Sequence, residues 1–263
     1  MAIRTKKFSR RSPLAAIVVV LAGLLVSGGS YVAATAAVSN TTKTEVDQAT
    51  IDTGKKLFLA NCASCHGKNA EGTANAPSLI GVGAASVDFQ VATGRMPGQA
   101  SGPQLQVKPV QFKQEDIDAL AAYVASLAPG PEAPTDAYLA QTGDATHGGE
   151  LFRINCAMCH NAVGAGGALT HGKYAPSLRN TSAKHIYEAM VTGPQNMPVF
   201  SNSNLSPEDK TDIITYLQYV QQNPSVGGDE LGNLGPVAEG LIAWLLMLGG
   251  IVVITIWLGA KSN

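Results

Sequence analysis

One five-residue pattern occurs twice, as Cys62-Ala63-Ser64-Cys65-His66 and as Cys156-Ala157-Met158-Cys159-His160, and together the copies use every cysteine in the chain. C-x-x-C-H is the attachment signature of a c-type haem. Its thiols close thioether bonds to the haem vinyl groups, and the adjoining histidine is placed beside the iron. No thiol remains for a disulfide or a zinc site. The copies lie 94 positions apart and predict two covalently bound haem c groups, one on Cys62 and Cys65 and one on Cys156 and Cys159. A segment of about 75 residues buries too little apolar surface to be stable unaided. The haem must therefore complete each core, and the apo segments are expected to be largely unfolded.

The likeness between the two halves extends well beyond the cysteines. Gly54, Leu57-Phe58 and Asn61 answer to Gly148, Leu151-Phe152 and Asn155. Further on, Ala76-Pro77-Ser78-Leu79 matches Ala175-Pro176-Ser177-Leu178, Thr93-Gly94 matches Thr192-Gly193, and Met96-Pro97 matches Met197-Pro198. Such ordered matches mark a duplicated module. Each copy reads as all-α: a first helix near 54–63 or 148–157 that delivers the cysteines, a glycine-rich loop, a methionine loop and a last helix. The last helices carry helical periodicity in Ile117, Leu120, Ala121 and Val124, and in Ile213, Ile214, Leu217 and Val220. Ser206-Pro207-Glu208-Asp209 is a helix-start signal. The expected modules span 50–128 and 145–224, joined by a proline-rich linker over 129–144 that is expected to be stiff and without further structure.

Hydrophobic segments flank the modules. Arg4, Lys6, Lys7, Arg10 and Arg11 form a basic segment within residues 1–13, and residues 14–38 then carry no charge. That stretch fits a retained transmembrane helix or a secretory signal peptide cleaved near Ala34-Thr35-Ala36. Both readings export the two modules. Near the other end, 237–260 reads as a transmembrane helix, with Gly235-Pro236 before it, Glu239 in its first turn and Lys261 after it. Both termini are then cytoplasmic in a multi-pass protein of the cell membrane, with the haem modules on the outer face. Charged residues make up only 14% of the chain and the formal net charge is −1, which argues against a nucleic-acid partner.

The motif makes His66 and His160 the fifth iron ligands. For the sixth, the first module offers only Met96, since no histidine occurs between His66 and His147. The second offers Met158, Met190, Met197, His171 and His185. Met197 has the repeat equivalence and an adjoining proline. Met158 lies between the cysteines, Met190 reads as packing, and His171 and His185 read as surface or propionate-contacting residues, with bis-histidine ligation as an alternative. His147 receives no role. A methionine cap closes the iron and raises its potential, which suits electron transfer, whereas an open position suits catalysis. No catalytic residue is proposed.

The order C-x-x-C-H, proline, Met-Pro and terminal helix, repeated over residues 54–223, resembles class I cytochrome c folds in tandem. That resemblance implies that the carbonyls of Pro77 and Pro176 orient His66 and His160. The wider layout of hydrophobic segment, two modules and C-terminal membrane helix is similar to the dihaem cytochrome c subunit of the actinobacterial cytochrome bc complex, a quinol:cytochrome c reductase. The resemblance implies a subunit that takes electrons from the Rieske iron–sulfur protein, sits beside a b-type cytochrome and passes electrons to a haem-copper terminal oxidase. Two other readings compete: a dihaem carrier serving a periplasmic dehydrogenase or another oxidase, and a peroxidase-like dihaem enzyme with one open iron.

Overall fold

A computed structural model describes residues 13–40, 46–99, 102–223 and 236–261. The basic cluster from Arg4 to Arg11 and the Gly235 of the expected helix start lie outside them. Helix α1 (Pro13–Asn40) contains the whole uncharged stretch and forms a unit of its own. Its apolar side chains from Ile17 to Val26 are exposed.

The first module comprises α2 (Gln48–Asn61), α3 (Ala63–His66), α4 (Gly83–Ala92) and α5 (Gln114–Leu127). A short α6 (Asp136–Leu139) precedes the second module, made of α7 (Ala145–Asn155), α8 (Ala157–His160), α9 (Ala183–Thr192) and α10 (Pro207–Gln222). A two-residue antiparallel pair, β1 (Gly167–Ala168) with β2 (Tyr174–Ala175), sits between α8 and α9. The first helix of each module packs across the last, α2 on α5 and α7 on α10. Both crossings are made at a glycine. A Cβ on Gly54 would lie 1.9 Å from the Ala119 carbonyl oxygen, and one on Gly148 would lie 1.9 Å from that of Asp212. Around each crossing lies a core: Phe58, Leu120, Tyr123 and Val124 in one module, Phe152, Ile186, Met190, Ile213 and Leu217 in the other.

The last helices fall where periodicity and caps place them. Ser206 Oγ accepts from Asp209 N while an Asp209 carboxylate oxygen accepts from Ser206 N, a reciprocal pair that satisfies two of the helix's unpaired donors. The first helices begin earlier than expected, at Gln48 and Ala145. Asp144 supplies the second of these starts by accepting from Thr146 N and His147 N. The linker also differs from expectation. Ala85 N donates to the Pro131 carbonyl at 3.1 Å, which fastens the proline-rich segment to the first module. In α6, Tyr138 stacks on Tyr187 of α9 at 5.2 Å.

His147, given no role from sequence, has a structural one. Its Nδ1 lies 2.8 Å from Asp212 Oδ2, while the other oxygen of Asp212 accepts from Asp144 N at 2.7 Å, so one carboxylate on α10 holds the start of α7. The hydrogen bond to Asp212 raises the His147 pKa. A raised histidine pKa adds stability that is fully present below the unfolded value of about 6.5 and is lost as pH climbs through the folded value. The unfolding midpoint of the haem-loaded chain is therefore expected to fall slightly between about pH 6 and pH 8.5, and His147→Asn to flatten that step. An unchanged pH profile in the variant would remove this role.

The modules dock on one another through α4 and α9. The Gln104 side-chain amide both donates to and accepts from the backbone of Tyr174, at 2.9 and 2.8 Å, so a loop of the first module extends the edge of β2. Lys184 Nζ lies 2.6 Å from Asp88 Oδ1, and the His185 ring meets Phe89 edge-on at 6.1 Å. Of the two readings of His185, surface or propionate-contacting, the first is corrected: it is half-buried between the modules and lines the second module's cavity. His171 is exposed, as expected.

The C-terminal helix runs as α11 (Pro236–Ala243), a wide π-type turn over Trp244–Leu248, and α12 (Gly249–Lys261). Glu239–Lys261 is a 23-residue apolar stretch with no residue buried in the protein. At about 1.5 Å per residue it is about 34 Å long, enough for a hydrocarbon layer of about 30 Å. Lys261 Nζ stands 4.7 Å over the Trp257 ring, an interfacial pairing at the end of the span.

Candidate haem centres

Each C-x-x-C-H sequence is folded by the same backbone break. Cys62 (φ −120, ψ −32) and Cys156 (φ −122, ψ −33) interrupt the helix, and a single turn then carries the second cysteine and the histidine. In the first module His66 is buried and its Nδ1 lies 2.8 Å from the Pro77 carbonyl oxygen. In the second, His160 Nδ1 lies 3.0 Å from the Pro176 carbonyl oxygen. A carbonyl only accepts, so each Nδ1 carries a hydrogen, and Nε2 is the nitrogen left to face an iron. Burial lowers the His160 pKa, against the raising effect of its bond to Pro176, and so favours the neutral form. This is the state an iron ligand requires.

The second set of residues converges on one cavity of about 330 Å³, whose wall includes Cys156, Cys159, His160, Pro176, Met190 and Met197. Met197 comes from a turn in which its N donates to the Pro194 carbonyl. The loop beyond it is held by the buried Lys210, whose Nζ donates to Asn202 Oδ1 and the Leu205 carbonyl. Met190 is 2% exposed in the core and contributes to the cavity from α9. In the first module Met96 is half-buried just beyond α4, with its N donating to the Gln90 carbonyl. Burial pushes the Cys62 and Cys156 thiols up to about 11.

The residue arrangement fits haem. An apolar cavity, a histidine of fixed tautomer, a methionine and two thiols on one turn form a donor set suited to a six-coordinate iron porphyrin. Sequence reasoning missed part of the wall. Phe89, Thr93, Arg95, Gln104 and Val107 belong to the first module yet line the second module's cavity. Arg95 is buried, with its guanidinium 4.9 Å from the Phe89 ring centre. Desolvation lowers its pKa, and it shares the cavity wall with Lys173. These are cations suited to haem carboxylates, and only the docking of the modules brings them together.

Two helical modules, each carrying C-x-x-C-H on a turn with the histidine tied to a proline carbonyl, define a tandem c-type cytochrome that binds haem c covalently. Family profiles agree: "Cytochrome c" matches residues 51–128, and "Cytochrome C oxidase, cbb3-type, subunit III" matches 143–217. The cytochrome bc1 complex cytochrome c subunit of Mycobacterium tuberculosis is 42% identical over 98% of this chain and 95% of its own length. Its counterpart in Corynebacterium diphtheriae is 39% identical over 99% and 98%, and that of Corynebacterium efficiens is 44% identical over 82% and 78%. The chain belongs to the family of cytochrome bc1 complex cytochrome c subunits and is anchored in the membrane.

Proposed function

We propose that this chain carries two haem c groups and relays electrons from the Rieske protein of a quinol:cytochrome c reductase to a haem-copper terminal oxidase. Haem supplies reversible one-electron chemistry when bound. The residues here attach it (Cys62, Cys65, Cys156, Cys159), ligate its iron (His66 with Met96, His160 with Met197) and orient the histidines (Pro77, Pro176). Met96 and Met197 would each give their iron a sixth ligand beside the histidine and leave no open position for a substrate, which favours transfer over catalysis. The chain then spans the membrane with both termini cytoplasmic and the modules on the outer side, beside a b-type cytochrome.

The observation that carries the relay is the shared wall. Arg95, next in sequence to Met96, lines the cavity that contains His160 and Met197. Residues of the first module thereby form part of the surroundings of the second haem. Affinity capture of the full chain from solubilised membranes should recover a b-type cytochrome and a Rieske protein. Recovery of neither, with haem intact, overturns the assignment to this complex.

A further inference from the structure

Between the modules lies a group of side chains that neither attach a haem nor ligate its iron, although one of them, His185, also lines the second module's cavity. Asp88 on α4, with His185 and Glu188 on α9, brings two carboxylate oxygens and an imidazole nitrogen within 4.8 Å of one another. His185 and Glu188 are three apart in one helix and so share a face. Asp88 is 2% exposed and Glu188 0%. Asp88 Oδ1 is well served, accepting from Lys184 Nζ at 2.6 Å and from Gln114 Nε2 at 3.0 Å. Asp88 Oδ2 and both oxygens of Glu188 are buried with no N–H or O–H donor from another side chain or the backbone among the described residues. His185 Nε2 stands 3.7 Å from Asp88 Oδ2. Lys184 therefore offsets one carboxylate through its far oxygen, and burial beside Asp88 pushes the Glu188 carboxyl up to about 9, so that without an ion the two facing carboxylates share a proton. Arg95, the other nearby cation, is turned over the Phe89 ring.

We propose that Asp88, His185 and Glu188 bind a zinc ion that staples the first module to the second. Ligands at about 2.0–2.2 Å around a tetrahedral ion stand about 3.3–3.6 Å apart, close to the spacing already present between His185 and Asp88. One imidazole with two carboxylates suits zinc, whereas calcium and magnesium require six or more oxygens. Glu188's second oxygen or a water completes the four. Lys184 and Gln114, holding the other oxygen of Asp88, fix the ligand's orientation as outer partners of metal sites do. The ligands come from helices nearly 100 residues apart in sequence, so the ion sets the placement of one haem module against the other.

The test is elemental analysis of the full haem-loaded chain after dialysis against zinc chloride and then metal-free buffer. About one zinc per two haem irons is expected. His185→Asn and Glu188→Gln should each lower zinc at least about tenfold with haem content unchanged. Zinc should raise the unfolding midpoint of the native chain and not that of His185→Asn. Absence of stoichiometric zinc in the native protein overturns the proposal, as does zinc that survives both substitutions. If Glu188→Gln does not accumulate, the half-exposed His185 variant still decides. Zinc content is independent of turnover and of co-purifying subunits, so this inference and the relay stand or fall separately.

Discussion

Replacing Met197 by alanine is expected to leave the second haem attached while lowering its potential by on the order of 100 mV or more. Attachment depends on Cys156 and Cys159, on a turn that Met197 does not build. The potential depends on the axial set, which spans about 0.8 V across haem proteins, with His/Met near the upper end. Loss of the sulfur exchanges a soft ligand for water or an open position. The centre should then bind carbon monoxide, lose the weak near-infrared band of sulfur coordination and cease to accept electrons from its donor. Met96→Ala should do the same to the first haem alone. Redox titration of the purified holoprotein, monitored optically, separates the two centres. A band of unchanged strength in Met197→Ala would hand the sulfur to Met190, which lines the same cavity from α9.

Much of the fold is legible because the sequence repeats itself. The last helices announce themselves through periodicity and, for α10, through the Ser206 and Asp209 pair. The first helix starts earlier than its pattern indicates because Gln48 to Thr53 offers only Ile51 as a large apolar residue, too little for a stripe; packing of Ile51, Gly54 and Phe58 extends the helix there. Helix α4 gives no sequence signal at all. Its residues Gly83–Ala92 are mostly small and apolar on several sides, since one face meets its own module and another meets α9. A helix buried on two faces has no amphipathic stripe.

The site divides along the same line. Local patterns point to the histidines, the cysteines, the two prolines and Met197, and in the second module these meet in a single cavity. What one-dimensional patterns cannot give is the contribution of the first module to that cavity. Arg95 and Phe89 reach it only because Asp88 pairs with Lys184 and Gln104 with Tyr174, contacts 96 and 70 residues apart in sequence. The burial of His185, read from sequence as a surface or propionate-contacting residue, escapes local pattern for the same reason: its neighbours Asp88 and Phe89 belong to the other module.

Gly148→Ala is expected to prevent the second module from folding stably. Its Cβ would lie 1.9 Å from the Asp212 carbonyl oxygen, 2.3 Å from the Asp212 carbonyl carbon and 2.8 Å from Ile213 N. All of these are backbone atoms of α10, so no rotamer relieves the overlap and the helices must part by more than 1 Å or so. Parting them opens the packing of Phe152 on Ile213 and Leu217 and breaks the hold of Asp212 on Asp144 and His147. Overpacking typically costs about 1–3 kcal/mol and more where backbone is trapped, while a module of this size holds only about 3–5 kcal/mol. At an exposed helical site the same change would stabilise by up to about 1 kcal/mol. Gly149 provides the comparison within one helix. A Cβ there would meet the Tyr216 ring at 3.1 Å and the Arg153 guanidinium at 3.3 Å, and both are side-chain groups that can turn aside. Thermal unfolding of the haem-loaded chain, monitored at the haem absorbance, should show Gly149→Ala near the native midpoint and Gly148→Ala far below it or unrecovered. Gly54→Ala should reproduce the loss in the first module, where the Ala119 carbonyl takes the place of Asp212. Native-like midpoints for Gly54→Ala and Gly148→Ala would mean that the helix crossings are not the close contacts on which the two modules are built.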